Sequence, residues 1–136
     1  MKKYEDYVKC LSVLLNADRQ KAISDEIYRM GVIGQFNLTF ELSWKAVKET
    51  LMLYGVDVSN TGSPREILKA AFEINFLSDG DIWLDMLKKR NISIHVYDET
   101  AAIELVNSIF DVYIIAFVNL KNLLNEKISK VNPNAI

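Results

Sequence analysis

Proline and glycine are too scarce in this chain to supply the turns of a sheet-rich fold. Its 136 residues include two prolines and five glycines. Apolar residues instead recur every three or four positions over long stretches, as they do along one face of an amphipathic helix. The sequence therefore predicts an all-α fold in which about five helices form an antiparallel bundle with a four-helix core.

Local start and stop signals set the expected bounds of these helices. Polar stretches interrupt the apolar pattern at 16–24 and 55–62. Ser63 and Glu66 have the spacing of a capping box at the start of the third helix, and Asp98 can cap the fifth. One domain spanning 1–136 is expected, with helices over 2–16, 27–54, 64–76, from 78–81 to about Arg90, and 98–129.

The fifth helix is apolar around most of its circumference. A helix of this kind needs cover on more than one side. A homodimer interface is therefore favoured over the alternative of deep burial within one chain. The expected core stripe is Ala102, Leu105, Ile109, Val112, Ala116, Leu120 and Leu123, and the remaining apolar surface is Ile103, Phe110, Ile114, Ile115, Phe117 and Val118.

The charge balance excludes a protein that binds nucleic acid over a broad basic surface. Sixteen basic and eighteen acidic residues give a formal net charge of −2, so any contact with RNA must be local and no DNA partner is expected. The longest uninterrupted apolar run, 112–118, is too short to cross a bilayer, and the N-terminal residues lack an apolar signal core. We therefore expect a cytoplasmic protein without a membrane partner.

The sequence contains no motif for a bound metal or phosphate. Its single histidine excludes a multi-histidine metal site, and no zinc, calcium or glycine-rich nucleotide-binding spacing occurs. Neither a metal nor a cofactor is predicted. Chemistry on nucleotides must then come from side chains or from a partner.

Chemically capable side chains are concentrated at the junction of the fourth and fifth helices. Arg90, Asn91, His95 and Tyr97 provide a cation, an amide, an imidazole and a phenol. RNA cleavage needs a group that moves the 2′-hydroxyl proton and a fixed positive charge for the phosphorane, which histidine and arginine can supply. On residue chemistry alone, a histidine that caps a helix end beside a solvated arginine is the commoner arrangement.

Neighbouring charged residues each allow two interpretations. Lys88 and Lys89 form either a solvated helix end or a patch that attracts phosphate. Glu41 and Lys45 have the spacing of an exposed i,i+4 ion pair, although Glu41 could instead face a cleft. Both tryptophans fall on apolar stripes and are assigned to packing rather than to base stacking.

Several motifs together resemble one protein family. The string from Arg90 to Tyr97 matches R-N-x-x-x-H, followed two residues later by tyrosine. Residues 36–45 resemble F-x-x-T-F-E-x-x-W-K, 63–66 read S-P-R-E, and 83–98 match W-x-x-M-L-x-x-R-N-x-x-x-H-x-Y-D. Over most of its length the chain therefore resembles the HEPN family, in the branch that partners a minimal nucleotidyltransferase.

This resemblance implies a dimer of helical bundles in which two R-N-x-x-x-H motifs meet in a cleft and cleave RNA without a metal. It implies that the catalytic residues are Arg90, Asn91 and His95. Further candidates for the cleft or for phosphate binding are Lys88, Lys89 and Glu41.

The resemblance also implies a partner. In related two-gene systems the HEPN chain is a toxin, and the nucleotidyltransferase silences it by transferring AMP from ATP to the tyrosine that matches Tyr97. An older description of the same branch implies instead a non-catalytic subunit that binds nucleotide or substrate for a separate nucleotidyltransferase, and a purely structural dimer is a third interpretation. The chain departs from the family pattern at 35–37, where Gln-Phe-Asn replaces an expected Arg-Phe-Glu and removes a charge pair.

Overall fold

A computed structural model describes residues 1–93 and 98–131, with residues 91–93 described by their backbone alone. All regular secondary structure in these ranges is helical, which confirms the predicted all-α bundle. The helices are α1 (Lys2–Leu15), α2 (Arg19–Ser24), α3 (Glu26–Leu53), α4 (Pro64–Glu73), α5 (Gly80–Ser93), α6 (Glu99–Ser108), a π-helical segment (Ile109–Tyr113) and α7 (Ile114–Val131).

Local hydrogen bonds define where these helices begin and end. The Asp25 side chain accepts a backbone N–H at 3.1 Å at the start of α3, and Gly55, just beyond its end, adopts the positive φ of +78° that favours glycine. The capping box of α4 is only half formed. Ser63 Oγ accepts the N–H of Glu66 at 3.4 Å, but the Ser63 N–H donates to the Thr61 hydroxyl. The exposed Glu66 side chain is therefore not used for capping.

The short helix α2 lies in a stretch that the sequence pattern presents as a polar break. Asp18 caps it by accepting the N–H of Lys21 at 3.1 Å, and its six residues are too few to show helical periodicity. Arg29 of α3 terminates it, since Nε donates to the Ala22 carbonyl at 3.0 Å and Nη2 to the Ile23 carbonyl at 2.8 Å. Arg29 is only 3% exposed, so these carbonyls satisfy a buried cation.

The π segment joins α6 and α7 into one continuous helix and corrects the expected core stripe. A π turn holds one residue more than an α turn, so the buried positions shift at two points of the stripe, whereas Ala116 and Leu120 are buried as expected. Tyr113 and Leu124 are buried, whereas Val112 is 40% exposed and Leu123 is only half-buried. Phe117, which was expected on the outer surface, is fully buried.

Each of the other described helices contacts α3. Three of them, α1, α5 and α7, meet α3 at an aromatic cluster centred on Phe117 of α7. Its ring centroid lies 5.7 Å from that of Trp83 in α5, 6.1 Å from Phe36 in α3 and 6.3 Å from Tyr7 in α1. Phe40 of α3 lies 6.1 Å from Trp83. These contacts form the expected four-helix core and pack α5 against the middle of α3.

One face of the Glu99–Val131 helix stays uncovered in a single chain. Val112 and Ile115 there are 40% and 57% exposed. By length and composition alone this 33-residue helix could cross a membrane, but the core helix of a soluble protein meets the same criteria, and 39% of its most apolar window is buried inside the protein. The contacts of α7 with α1 and α3 favour the core role.

Candidate active site

Arg90 lies in the last turn of α5, facing α3. Its Nη1 donates to Glu41 Oε2 at 3.2 Å, and its guanidinium carbon lies 5.6 Å from the centroid of the Phe40 ring. The Arg90 and Glu41 side chains are 28% and 32% exposed, so water screens this pair less than a surface pair. Two adjacent residues of α3 therefore hold the guanidinium, one through an ion pair and the other through its aromatic face.

Glu41 has two further partners on its own helix. Trp44 Nε1 donates to Glu41 Oε2 at 3.1 Å, and Lys45 Nζ lies 3.5 Å from Oε1. Glu41 therefore forms the predicted i,i+4 pair and also contacts Arg90. That it lines a cleft stays a prediction. Trp44 is buried, as its packing role predicts, but its N–H also orients the carboxylate, which a pattern of apolar positions cannot reveal.

The two lysines before Arg90 differ in exposure. Lys88 is exposed and Lys89 is half-buried, and neither forms an ion pair with another residue in the described ranges. Their charges therefore add to that of Arg90 at one end of α5. This arrangement suits the attraction of a phosphate as well as it suits a solvated helix end.

The rest of the predicted catalytic motif falls outside the described parts of the chain. Asn91 belongs to the backbone of α5, but its side chain is not described, and His95 and Tyr97 lie in 94–97, between the two described ranges. Their roles and their proximity to Arg90 stay predictions. The structure brings Arg90 and Glu41 together.

The residues that follow 94–97, at the start of α6, also contact α3. Asp98 caps α6, as predicted, by accepting the N–H of Thr100 at 3.0 Å, and Glu99 Oε1 lies 3.7 Å from Arg29 Nη1. The Glu99 side chain is mostly exposed, so this ion pair is weak. The sequence analysis did not single out Arg29. The one sign of its role in the sequence is that a cation stands within the apolar pattern of the helix predicted over 27–54.

A second polar contact on α5 involves the π segment. The Tyr113 hydroxyl donates to the Asp85 carboxylate, and the Tyr113 ring stacks on Phe36 at 5.4 Å. Burial first, and then the hydrogen bond to Asp85, raise the pKa of Tyr113 above its ordinary value, so the phenol stays protonated and remains a donor. This contact fixes α5 against the π segment.

No group of three or more His, Cys, Asp or Glu side chains in the described ranges could hold a metal ion. The described groups at this site that can take part in chemistry are the guanidinium of Arg90, the carboxylate of Glu41 and the nearby lysines.

Comparison with known proteins identifies relatives of this chain. A family model described as nucleotidyltransferase substrate binding protein like matches residues 2–126. A protein named probable ribonuclease HepT from Haemophilus influenzae is 28% identical over 96 residues, which cover 69% of this chain and 66% of that protein. The matched region thus spans just under two thirds of the relative's length.

We predict that Glu41 and Arg90 are energetically coupled. Glu41→Gln, Arg90→Gln and the double variant form a double-mutant cycle, and glutamine leaves an acceptor for the Trp44 N–H. Urea unfolding should give a coupling free energy of about 1 kcal/mol, because the pair is partly buried. The Glu126–Lys130 pair, at 3.0 Å with both side chains 63% exposed, is the matched control and should couple less. Equal coupling in the two cycles would contradict the geometry.

Proposed function

Because the chain belongs to the HEPN-like family of nucleotidyltransferase substrate-binding proteins, we propose that it is a cytoplasmic toxin that cleaves RNA and is controlled by a minimal nucleotidyltransferase. The observation that carries the proposal is the half-buried Arg90, held by Glu41 immediately before the predicted Asn91 to His95 motif. The name of its Haemophilus influenzae relative supports a ribonuclease.

The proposed reaction is cleavage by the RNA's own 2′-hydroxyl. Loss of its proton lets the 2′-oxygen attack the adjacent phosphorus, and the bond from phosphorus to the 5′-oxygen then breaks as that oxygen gains a proton. His95 moves protons and Arg90 neutralises the phosphorane oxygens. Asn91 holds the substrate or His95 in position, and Lys88 and Lys89 attract the RNA backbone. No metal or cofactor takes part.

Glu41 acts on this chemistry through Arg90. A carboxylate inside a phosphate-binding cleft repels RNA, but its contacts with Arg90, Trp44 and Lys45 surround it with donors and offset its charge. The pair restricts the guanidinium to one region beside the Phe40 ring. A pre-positioned cation loses less conformational entropy when phosphate binds.

The proposed active form is a homodimer. Each chain contains one histidine, whereas cleavage needs both a base for the 2′-hydroxyl and an acid for the leaving 5′-oxygen. Two chains that meet at their motifs would bring two histidines to one cleft. The uncovered Val112 and Ile115 of the Glu99–Val131 helix offer apolar surface that a second copy could bury.

The proposed control step modifies Tyr97. Its phenolic oxygen attacks the α-phosphorus of ATP bound to the nucleotidyltransferase, pyrophosphate leaves, and the phenol proton passes to a base of that partner or to water. The AMP adduct adds negative charge and bulk two residues from His95, so it competes with RNA phosphate for Arg90.

A second candidate function is a non-catalytic subunit that presents a nucleotide or other substrate to a separate nucleotidyltransferase. The description of the matching family favours it. In that case Arg90 and the neighbouring lysines bind phosphate without cleaving RNA. Nucleotide binding in the absence of any RNA cleavage would identify this function.

We predict that Arg90→Ala and His95→Ala each abolish RNA cleavage while the chain remains folded. Each variant removes a group that acts in the transition state, and losses of about a hundredfold or more are usual for such groups. Cleavage of a single-stranded RNA in EDTA, with circular dichroism to verify folding, provides the measurement.

Arg65→Ala is the matched control, because Arg65 is an exposed arginine on α4 and should leave the cleavage rate unchanged. Full activity in Arg90→Ala or His95→Ala, or loss of wild-type activity in EDTA, would refute the two-residue, metal-independent mechanism.

We predict that Tyr97 is the site of AMP transfer. The protein is incubated with its nucleotidyltransferase, ATP and Mg²⁺ and analysed by intact mass and peptide mapping. AMP adducts should appear on wild type, disappear in Tyr97→Phe, and inhibit RNA cleavage. Tyr54→Phe is the control, since the partly exposed Tyr54 hydroxyl donates to the Lys127 carbonyl, away from the α5 end that carries Arg90, and its loss should leave the adduct intact. Modification elsewhere, or inhibition without modification, would contradict the proposed control.

A further inference from the structure

Lys45 belongs to the same charged cluster as Arg90. The two oxygens of the Glu41 carboxylate face different cations, since Oε2 lies 3.2 Å from Arg90 Nη1 and Oε1 lies 3.5 Å from Lys45 Nζ. Trp44 Nε1 also donates to Oε2, at 3.1 Å. One carboxylate therefore holds two cations side by side, one from α5 and one from its own helix α3.

This cluster has a surplus of positive charge. The two cations of Arg90 and Lys45 and the one carboxylate of Glu41 give a net formal charge of +1. Lys88 and Lys89 add to it from the end of α5, and neither forms an ion pair with another residue in the described ranges. Because the whole chain carries a formal charge of −2, this local surplus directs a polyanion to the site rather than to the surface in general.

The Lys45 side chain can reach a ligand without leaving Glu41. It is 38% exposed, and its ammonium lies 5.8 Å from the centroid of the buried Trp44 ring, which helps to hold it in place. An ammonium carries three N–H donors, and the contact with Glu41 Oε1 engages one of them. Lys45 can therefore keep this contact and also donate to a phosphate oxygen.

A second i,i+4 pair, between Glu126 and Lys130 of α7, offers a comparison. Its two charged atoms lie 3.0 Å apart, and both side chains are 63% exposed. Lys130 there balances the charge of Glu126. Glu41, by contrast, already has Arg90 as its partner from α5, so the charge of Lys45 exceeds what this carboxylate needs. Since a surface pair of this spacing contributes little to stability, the fold does not require Lys45 either.

We propose that Lys45 is a further RNA-binding residue, whose ammonium contacts a backbone phosphate next to the one that Arg90 holds. This inference rests on the RNA cleavage proposed above and adds a contact from α3 to those from α5. Because both cations contact the same carboxylate, they lie close enough together for neighbouring phosphates of one strand. Phosphate contacts position a nucleic acid without reading its sequence, so Lys45 acts alike on all RNA sequences.

The test measures binding of a single-stranded 2′-O-methyl oligonucleotide, which cannot be cleaved because its 2′-oxygens carry no proton, at several salt concentrations. Lys45→Gln should reduce the slope of log affinity against log salt by about 0.7, the value for one phosphate contact on a single strand. Lys45→Arg, which keeps the cation, should restore the slope.

Cleavage kinetics provide a second measurement. With cleavable RNA, Lys45→Gln should raise KM by about 3- to 10-fold, as expected for the loss of one hydrogen-bonded contact. It should leave kcat unchanged, because a contact with a neighbouring phosphate is equally strong in the ground state and in the transition state.

Two controls separate a phosphate contact from an indirect effect. In a Glu41→Gln background no carboxylate stands beside Lys45, and Lys45→Gln should still reduce the slope there. A reduction that disappears in this background would mean that Lys45 acts only through Glu41, and would overturn the proposal. Lys130→Gln removes the lysine of the comparison pair and the same unit of charge, and should bind and cleave RNA as wild type does.

The remaining outcomes distinguish the role of Lys45 from the proposed function. Wild-type slope and KM in Lys45→Gln, or equal changes in Lys130→Gln, would overturn the phosphate contact and leave RNA cleavage by this chain intact. Failure of the wild-type chain both to bind the oligonucleotide and to cleave RNA would overturn the proposed function, and the role of Lys45 with it.

Discussion

Every other α-helix in the described ranges packs against α3, which is therefore buried on several sides. Phe36, Phe40 and Trp44 are buried along it, and each large apolar side chain removed from water contributes roughly 1.5–3 kcal/mol. Polar residues on its buried faces are satisfied locally, since the Ser43 and Thr50 hydroxyls donate to carbonyls one turn earlier at 2.6 and 2.9 Å. The helix can therefore be enclosed on several sides without unpaired hydroxyl groups.

The same helix determines where the candidate site lies. One turn of α3 packs Phe40 into the core and directs Glu41 towards Arg90, so the packing of α5 and the position of its guanidinium have a common origin. Twelve positions earlier on α3, Arg29 reaches Glu99 at the start of α6. Residues 94–97, which include His95 and Tyr97, thus lie in the sequence between Arg90 and Glu99, and each of these two residues forms an ion pair with α3. A substitution in the core of α3 should therefore disturb the site as well as the fold.

The periodicity of apolar residues predicted the fold class and the long helices, because a 3.6-residue repeat over many turns is a strong signal. It could not predict α2, whose six residues hold too few turns, or the π segment, which moves the buried stripe from Val112 to Tyr113. The residue types of the site were predicted from the Arg90 motif. The contact with Glu41 depends on how α5 packs on α3, and the satisfaction of buried Arg29 depends on carbonyls of a helix that the pattern does not show.

We propose that this chain cleaves RNA through the RNA's own 2′-hydroxyl, with Arg90 positioned by Glu41. The most direct measurement is the chemical identity of the fragment ends that the purified chain produces from a defined RNA in EDTA. Attack by the 2′-oxygen should leave 2′,3′-cyclic phosphate and 5′-hydroxyl ends, and there should be no cleavage where the 2′-hydroxyl is replaced by hydrogen. Fragments with 3′-hydroxyl and 5′-phosphate ends, or cleavage at a 2′-deoxy position, would contradict this mechanism.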